Sequence, residues 1–195
     1  GVAGHDADRC EGPACVHDPD EAAELLEGAY PDGDVPRVAL DVDETPLQVS
    51  LAETVVEQLE EAGIPAEVRV HETAEYASVL TTGEPQLFSL GWIGVYRSPH
   101  AYLEPLFRSA SADNLTRLRS GTVDAALGRA AGARTEGGAA SAWAEAEQRV
   151  LGAAIVVPLV QFETRASVAD RVQGLEHAVD GTVDWSAVWV TDAGS

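Results

Sequence analysis

Leu87-Phe88-Ser89-Leu90-Gly91-Trp92-Ile93-Gly94-Val95-Tyr96-Arg97-Ser98-Pro99 decides how the rest of the chain reads. A short apolar run ends at Gly91, two aromatics follow among glycines, and Pro99 closes the stretch. Glycine admits close backbone approach, and aromatic rings supply large, stiff contact surface. In open α/β sheets, ligands sit beyond the carboxyl ends of the strands. The segment reads either as a buried Trp followed by a turn or as a ligand-facing loop at a strand end. Its surroundings favour the second.

Upstream, Val38, Leu40 and Val42 alternate with Ala39 and Asp41, which predicts a strand over 38–42. Leu51, Val55, Leu59 and Ala62 fall at helical spacing in a helix over 46–62 that Gly63 ends. A second strand spans 66–70, a helical segment 74–80, and a third strand 87–93. Strand, helix, strand, helix, strand is the pattern of a parallel sheet with right-handed crossovers. Ahead of it, Asp18-Pro19-Asp20-Glu21 opens a helix, with Asp18 as cap and Pro19 in the first turn. Tyr30-Pro31-Asp32-Gly33 ends it in a turn.

Past Pro99 the pattern changes. Helices are expected over 100–107, 123–131 and 139–151, with a loop over 109–114 and a flexible glycine-rich loop over 132–138. Residues 155–162 are extended and apolar, kinked or placed at an edge by Pro158. Residues 164–172 extend further, and 183–190 carry Trp185 and Trp189.

Composition narrows the function classes. The 195 residues include 12 cations, every one Arg, against 33 acids, for a net charge of −21. Without a basic patch to neutralise phosphates, nucleic acid is excluded as a partner, and anionic lipid is disfavoured. No run reaches the ~18 apolar residues of a membrane span. The absence of Met marks the sequence as a piece of a longer polypeptide, so a missing signal peptide carries no information.

Cys10 and Cys15 flank Glu11-Gly12-Pro13-Ala14, a turn able to bring the two sulfurs together. A disulfide, which belongs to an oxidising compartment, is the leading reading. A zinc half-site with His5 and His17, or two free thiols, are the alternatives.

No catalytic constellation, metal site or cofactor site is expected. His71, His100 and His177 read as surface histidines. Asp41, Asp43 and Glu44 read as a solvated acidic loop rather than a cation site, and Arg97 as an exposed charge flanking a turn. Ser89 and Ser98 lack the nucleophile elbow, and the glycines lack phosphate-loop spacing.

The order of the motifs carries a resemblance. Residues 18–26, the Tyr30-Pro31-Asp32-Gly33 turn, and Val55 to Ile64 (Val-Val-Glu-Gln-Leu-Glu-Glu-Ala-Gly-Ile) come first. Gly91-Trp92 with Tyr96 and Pro99 follows, then Asn114 and Val123-Asp124. Ala144-Glu145-Ala146-Glu147, Val156-Val157-Pro158-Leu159, Val172-Gln173-Gly174-Leu175 and Asp184-Trp185 complete the order. From about residue 18 to residue 189 the chain resembles the C-terminal half of the family 5 extracellular solute-binding proteins. These are the oligopeptide, dipeptide and nickel receptors of ABC importers.

The resemblance implies an α/β fold, the C-terminal lobe of a two-lobed periplasmic-binding-protein-like (type II) architecture, three-layered with a sheet flanked by helices. Residues 1–19 would be a loop with the cysteine pair, 20–155 the ligand-binding lobe, and 156–195 an extended segment returning to the other lobe. The function implied is the extracytoplasmic substrate-binding component of an ABC importer, in full length a membrane-anchored lipoprotein and no enzyme. Its partners would be a small solute such as an oligopeptide, a transporter permease, and the N-terminal lobe. A ligand-sensing domain of a fused regulator is the alternative.

Gly91, Trp92, Ile93, Gly94, Val95 and Tyr96 are the expected ligand-binding residues. Peptide receptors of the family carry an acid in this motif that pairs with a peptide's free amino end, a strong charge-assisted contact. Here Val95 occupies that place, and Ser98 replaces the motif's second acid. The resemblance therefore transfers the loop but not amine recognition. A sugar, a blocked peptide or a small amphiphile becomes the better fit.

Overall fold

A computed structural model describes residues 16–161, 166–178 and 181–191. The cysteine pair and its expected disulfide lie outside them. The chain divides into two compact units, one of Val16–Gly91 and one within Trp92–Ser195.

In the first unit, helix α1 (Pro19–Ala29) starts as its sequence dictates, with Asp18 Oδ1 accepting the Glu21 backbone N–H at 3.0 Å. Strands β1 (Val38–Asp43), β2 (Ala66–His71) and β3 (Leu87–Phe88) form a parallel sheet in the order β2-β1-β3. The register pairs Val38 with Ala66 and Leu40 with Leu87. Helix α2 (Pro46–Glu61) joins β1 to β2, and α3 (Thr73–Thr82) joins β2 to β3. The first crossover runs from β1 out to β2 and the second from β2 back past β1 to β3, opposite directions across the sheet, so right-handed connections put α2 and α3 on opposite faces. Leu40 and Val42 accordingly pack with Ala52, Val55 and Val56. The Asp41 side chain, pointing the other way, meets His71, whose ring in turn stacks on Tyr76 of α3.

Strand β1 is central, and Ala39, Leu40, Asp41 and Val42 are all buried, so both of its faces are covered. One expectation is corrected in this unit. The third strand was expected to run to residue 93 and stops at Phe88. After Ser89 N–H donates to Asp41 O at 3.1 Å, the Tyr76 hydroxyl takes over, donating to Asp41 O (2.8 Å) and Ser89 O (2.6 Å). A side chain thus replaces the next rung of the ladder, and the backbone leaves the sheet. Burial raises the Tyr76 hydroxyl pKa well above its usual value.

The histidine and acid expectations also change here. Asp41 is a buried strand residue, not part of a solvated loop, and His71 Nε2 donates to its Oδ1 at 2.6 Å. A buried carboxylate needs such a partner.

The second unit is mainly helical. Helix α4 (His100–Phe107), α5 (Gly121–Ala131) and α6 (Glu136–Leu151) enclose a core of Phe107, Val123, Ala126, Leu127, Ala130, Trp143, Ala146 and Val150. Val123, Ala126, Leu127 and Ala130 follow i, i+3, i+4, i+7, and the alanines let α5 and α6 approach closely. Ser120 caps α5 through Val123 N–H, and Thr135 caps α6 through Gly138 N–H. The Thr135 cap overrides the expected glycine loop, because Gly137 and Gly138 lie inside α6. Asn114 is buried and ties its turn together, donating to Arg108 O and Leu118 O and accepting from Leu118 N–H and the Thr116 hydroxyl. Strands β4 (Val172–Gln173) and β5 (Trp189–Val190) make a small antiparallel pair. Gly174, at φ +75°, ends β4 where any side chain would strike Ala187 O and the Trp189 ring.

Candidate ligand site

Residues 92–96 fold against the helix that follows them, and the contact has a chemical cause. Pro105 lies inside α4 and has no N–H to offer the carbonyl four residues back. That carbonyl belongs to Ala101, which is buried, and a buried orphan acceptor is costly. The Trp92 indole Nε1–H donates to it at 2.8 Å. The proline therefore creates the acceptor that holds the tryptophan.

Gly94 completes the approach. It is buried, and a methyl group added there would come within 2.5 Å of Tyr102 Cε2 and 2.6 Å of Cζ. Gly91 has nothing within 4 Å of such a position. The Tyr96 hydroxyl is hydrogen-bonded to His100 Nδ1, and the His100 ring meets Trp143 edge-on at 5.7 Å. His100 is thus a tether between loop and helix core, not the free surface histidine expected.

Loop and helix bound an open pocket of about 460 Å³, lined by Trp92, Ile93, Val95, Tyr96, His100, Ala101, Glu104, Pro105, Arg108, Ala110 and Ser111. Of the six residues expected to face a ligand, Trp92, Ile93, Val95 and Tyr96 line it, and Gly91 and Gly94 do not. Ile93 and Val95 are 69% and 82% exposed, the opposite of core residues. The helical half of the wall was not foreseen as a site. Its signal was present: His100, Ala101, Glu104, Pro105 and Arg108 recur at i, i+1, i+4, i+5, i+8, one face of a helix.

In the wall Tyr96 is bonded to His100, while one oxygen of Glu104, Oε2, is buried without a hydrogen-bond partner. Glu104 is salt-bridged to Arg108 across one helical turn, which holds the guanidinium pKa above its usual value. Beyond the wall, Asp124 Oδ1 accepts the Ser109 N–H at 2.9 Å, and this bond lowers the Asp124 pKa. Among the described residues no group of three or more His, Cys, Asp or Glu is placed to hold a metal. None of their helices is long and apolar enough to cross a membrane. The arrangement is that of a surface for contact, with aromatic and aliphatic groups on a tethered loop.

The family model described as bacterial extracellular solute-binding proteins, family 5 Middle, matches residues 2–114. The chain belongs to this family.

Among curated relatives, the probable di/tripeptide-binding protein 5 of Pseudomonas aeruginosa is 28% identical over 190 residues, covering 91% of this chain and 35% of that protein. The heme-binding protein A of Haemophilus influenzae is 26% identical over 164 residues, covering 81% and 30%. The chain thus spans about a third of the length of the curated relatives it matches. Among solved structures, HbpA2 from Haemophilus parasuis superposes with a TM-score of 0.79 at 21% identity, over 97% of this chain and 38% of that one. The fold is accordingly α/β of the type II periplasmic-binding-protein kind, the class that the motif order implied.

Proposed function

We propose that this family 5 chain is a ligand-binding lobe of the extracytoplasmic substrate-binding component of an ABC importer. It captures a peptide-like or other small solute and performs no bond chemistry. The pocket between residues 92–96 and α4 carries this reading: its wall is mainly apolar, its loop is held in place by Trp92 and Gly94, and Ile93 and Val95 face solvent. Capture between two lobes then shifts a population from open to closed forms. The partners are the N-terminal lobe of the same polypeptide and the transporter permease, with a lipid anchor at the membrane.

Residues 156–195 return to the other lobe in this reading. Val157, Leu159, Val160, Trp185 and Trp189 are all more than half exposed, as expected of surface awaiting a cover. The test is a thermal-shift screen of the full-length receptor against di- and tripeptides, free and N-acetylated, with heme as a further arm. A saturable rise in Tm with one class supports the proposal, because a ligand stabilises by mass action. No shift with any class, together with uptake unaffected by deleting the gene, overturns it.

A further inference from the structure

We infer that the 92–111 pocket takes a primary ammonium group carried on an apolar body, and that Glu104 of α4 is its acceptor. The inference rests on the proposed reading of the pocket as a solute site and names the charge that the site holds.

Its Oε1 is joined to Arg108 Nε, while Oε2 is shut off from water and has no hydrogen-bond partner. A buried carboxylate oxygen without a donor is costly, and a charged donor that reaches it makes a strong bond. The Glu104 side chain is 21% exposed at the pocket wall, and that of Arg108 31%. The terminal torsion of a glutamate is soft. A turn of the carboxylate therefore presents Oε2 to the pocket while Arg108 follows Oε1.

The sign of the guest follows from the same pair. Arg108 answers one oxygen of Glu104 and leaves the other without a donor, so an entering anion meets an unanswered carboxylate oxygen, whereas an ammonium supplies the missing N–H. The wall's other ionisable side chains, Tyr96 and His100, are bonded to each other. Trp92 and Tyr96 bring aromatic rings to the same wall, and ring faces attract cations. The net charge of −21 draws cations toward the surface generally. Field, rings and acceptor thus agree. Ile93, Ala101 and Pro105 line the pocket for the apolar remainder of the solute. The volume of about 460 Å³ falls in the range of ~300–1,000 Å³ that holds small ligands.

The experiment uses the 195-residue chain and three probes sharing one apolar body: 3-phenylpropylammonium, its N,N,N-trimethyl analogue and 3-phenylpropan-1-ol. Binding is followed by NMR titration of the Trp92 indole N–H and the backbone amides of residues 92–111. The primary ammonium is expected to bind about tenfold tighter than the other two, because it alone brings both charge and N–H donors to Oε2. Glu104→Gln keeps an acceptor for Arg108 and is expected to cut that preference below about threefold. Glu136→Gln removes the same charge from an exposed position on α6 and should leave the preference intact. Amide dispersion verifies that both variants fold. Alcohol or trimethyl analogue binding as tightly as the primary ammonium overturns the inference and leaves the site reading standing. A preference that survives Glu104→Gln, or one that falls equally in Glu136→Gln, also overturns it. If no probe shifts residues 92–111, both the inference and the site reading fail.

Discussion

Pro105→Ala is expected to stabilise the chain and loosen its ligand loop, two effects of opposite sign from one substitution. The new N–H at position 105 lies where an α-helix bonds it to the carbonyl of Ala101, the acceptor that Trp92 Nε1 now occupies at 2.8 Å. Proline costs about 3 kcal/mol relative to alanine in a helix interior. Against that gain stand about 1 kcal/mol for the displaced indole bond and ~0.4–1 kcal/mol for the stiffer unfolded chain that proline provides. The net expectation is a gain of about 1–1.5 kcal/mol. At ~2–4 °C per kcal/mol for a chain of this length, Tm rises by roughly 2–6 °C. Urea unfolding measures the first effect. Hydrogen exchange of the Trp92 indole N–H measures the second, and should quicken about tenfold as its acceptor is taken. A loss of stability above about 1 kcal/mol, or an indole that exchanges no faster, would refute the reasoning. Either result would mean that the proline does not create the tryptophan's acceptor.

Gly94→Ala should cost about 1–2 kcal/mol in urea unfolding, because the added methyl meets the Tyr102 ring at 2.5 Å and forces ring or loop to move. Gly91→Ala, with open space around it, should stay within about 0.5 kcal/mol, and equal effects from the two would contradict the packing described. His71→Ala should cost about 2–3 kcal/mol by leaving the buried Asp41 carboxylate without its donor. The loss should shrink markedly in an Asp41→Asn background, and strict additivity of the two changes would show that the pair is not coupled. The Asp124 pKa is lowered by the Ser109 N–H, so its contribution is present above the ordinary carboxylate range and fades as pH falls through the lowered folded value. The stability gap between the parent chain and Asp124→Ala should therefore be flat from pH 7 to about 5 and shrink progressively as pH falls below the ordinary carboxylate value of about 4; a gap that does not shrink as the pH falls contradicts that assignment. Gly174→Ala should open the β4–β5 pair, seen as loss of amide protection at Val172 and Val190, since it meets both strain at φ +75° and the Ala187 carbonyl.

What could be read from residues alone follows from which interactions are local. The β1, α2, β2 and α3 boundaries were legible because period and caps lie within each segment, as in Asp18 for α1 and Gly63 after α2. The early end of β3 was not, because it depends on the hydroxyl of Tyr76, 13 residues away in α3. His71 looked like a surface histidine because its partner Asp41 is 30 residues distant. Gly137 and Gly138 suggested a loop by composition, and a single threonine cap settled the matter for helix. At the pocket, the loop half was evident from its aromatics and glycines. The helical half was hidden by an apparent flaw, Pro105, whose consequence lies on another segment.

The pocket is built from residues 92–111 alone, and this continuity has a consequence for how such a site originates and changes. Its walls close over a short loop, so little chain entropy opposes their meeting, and they belong to the early, local part of folding. None of the lining residues comes from the three-stranded sheet. A new preference at this pocket can thus arise through exchanges in twenty consecutive codons, the sheet's sequence untouched, which makes the stretch a transplantable cassette for recognition.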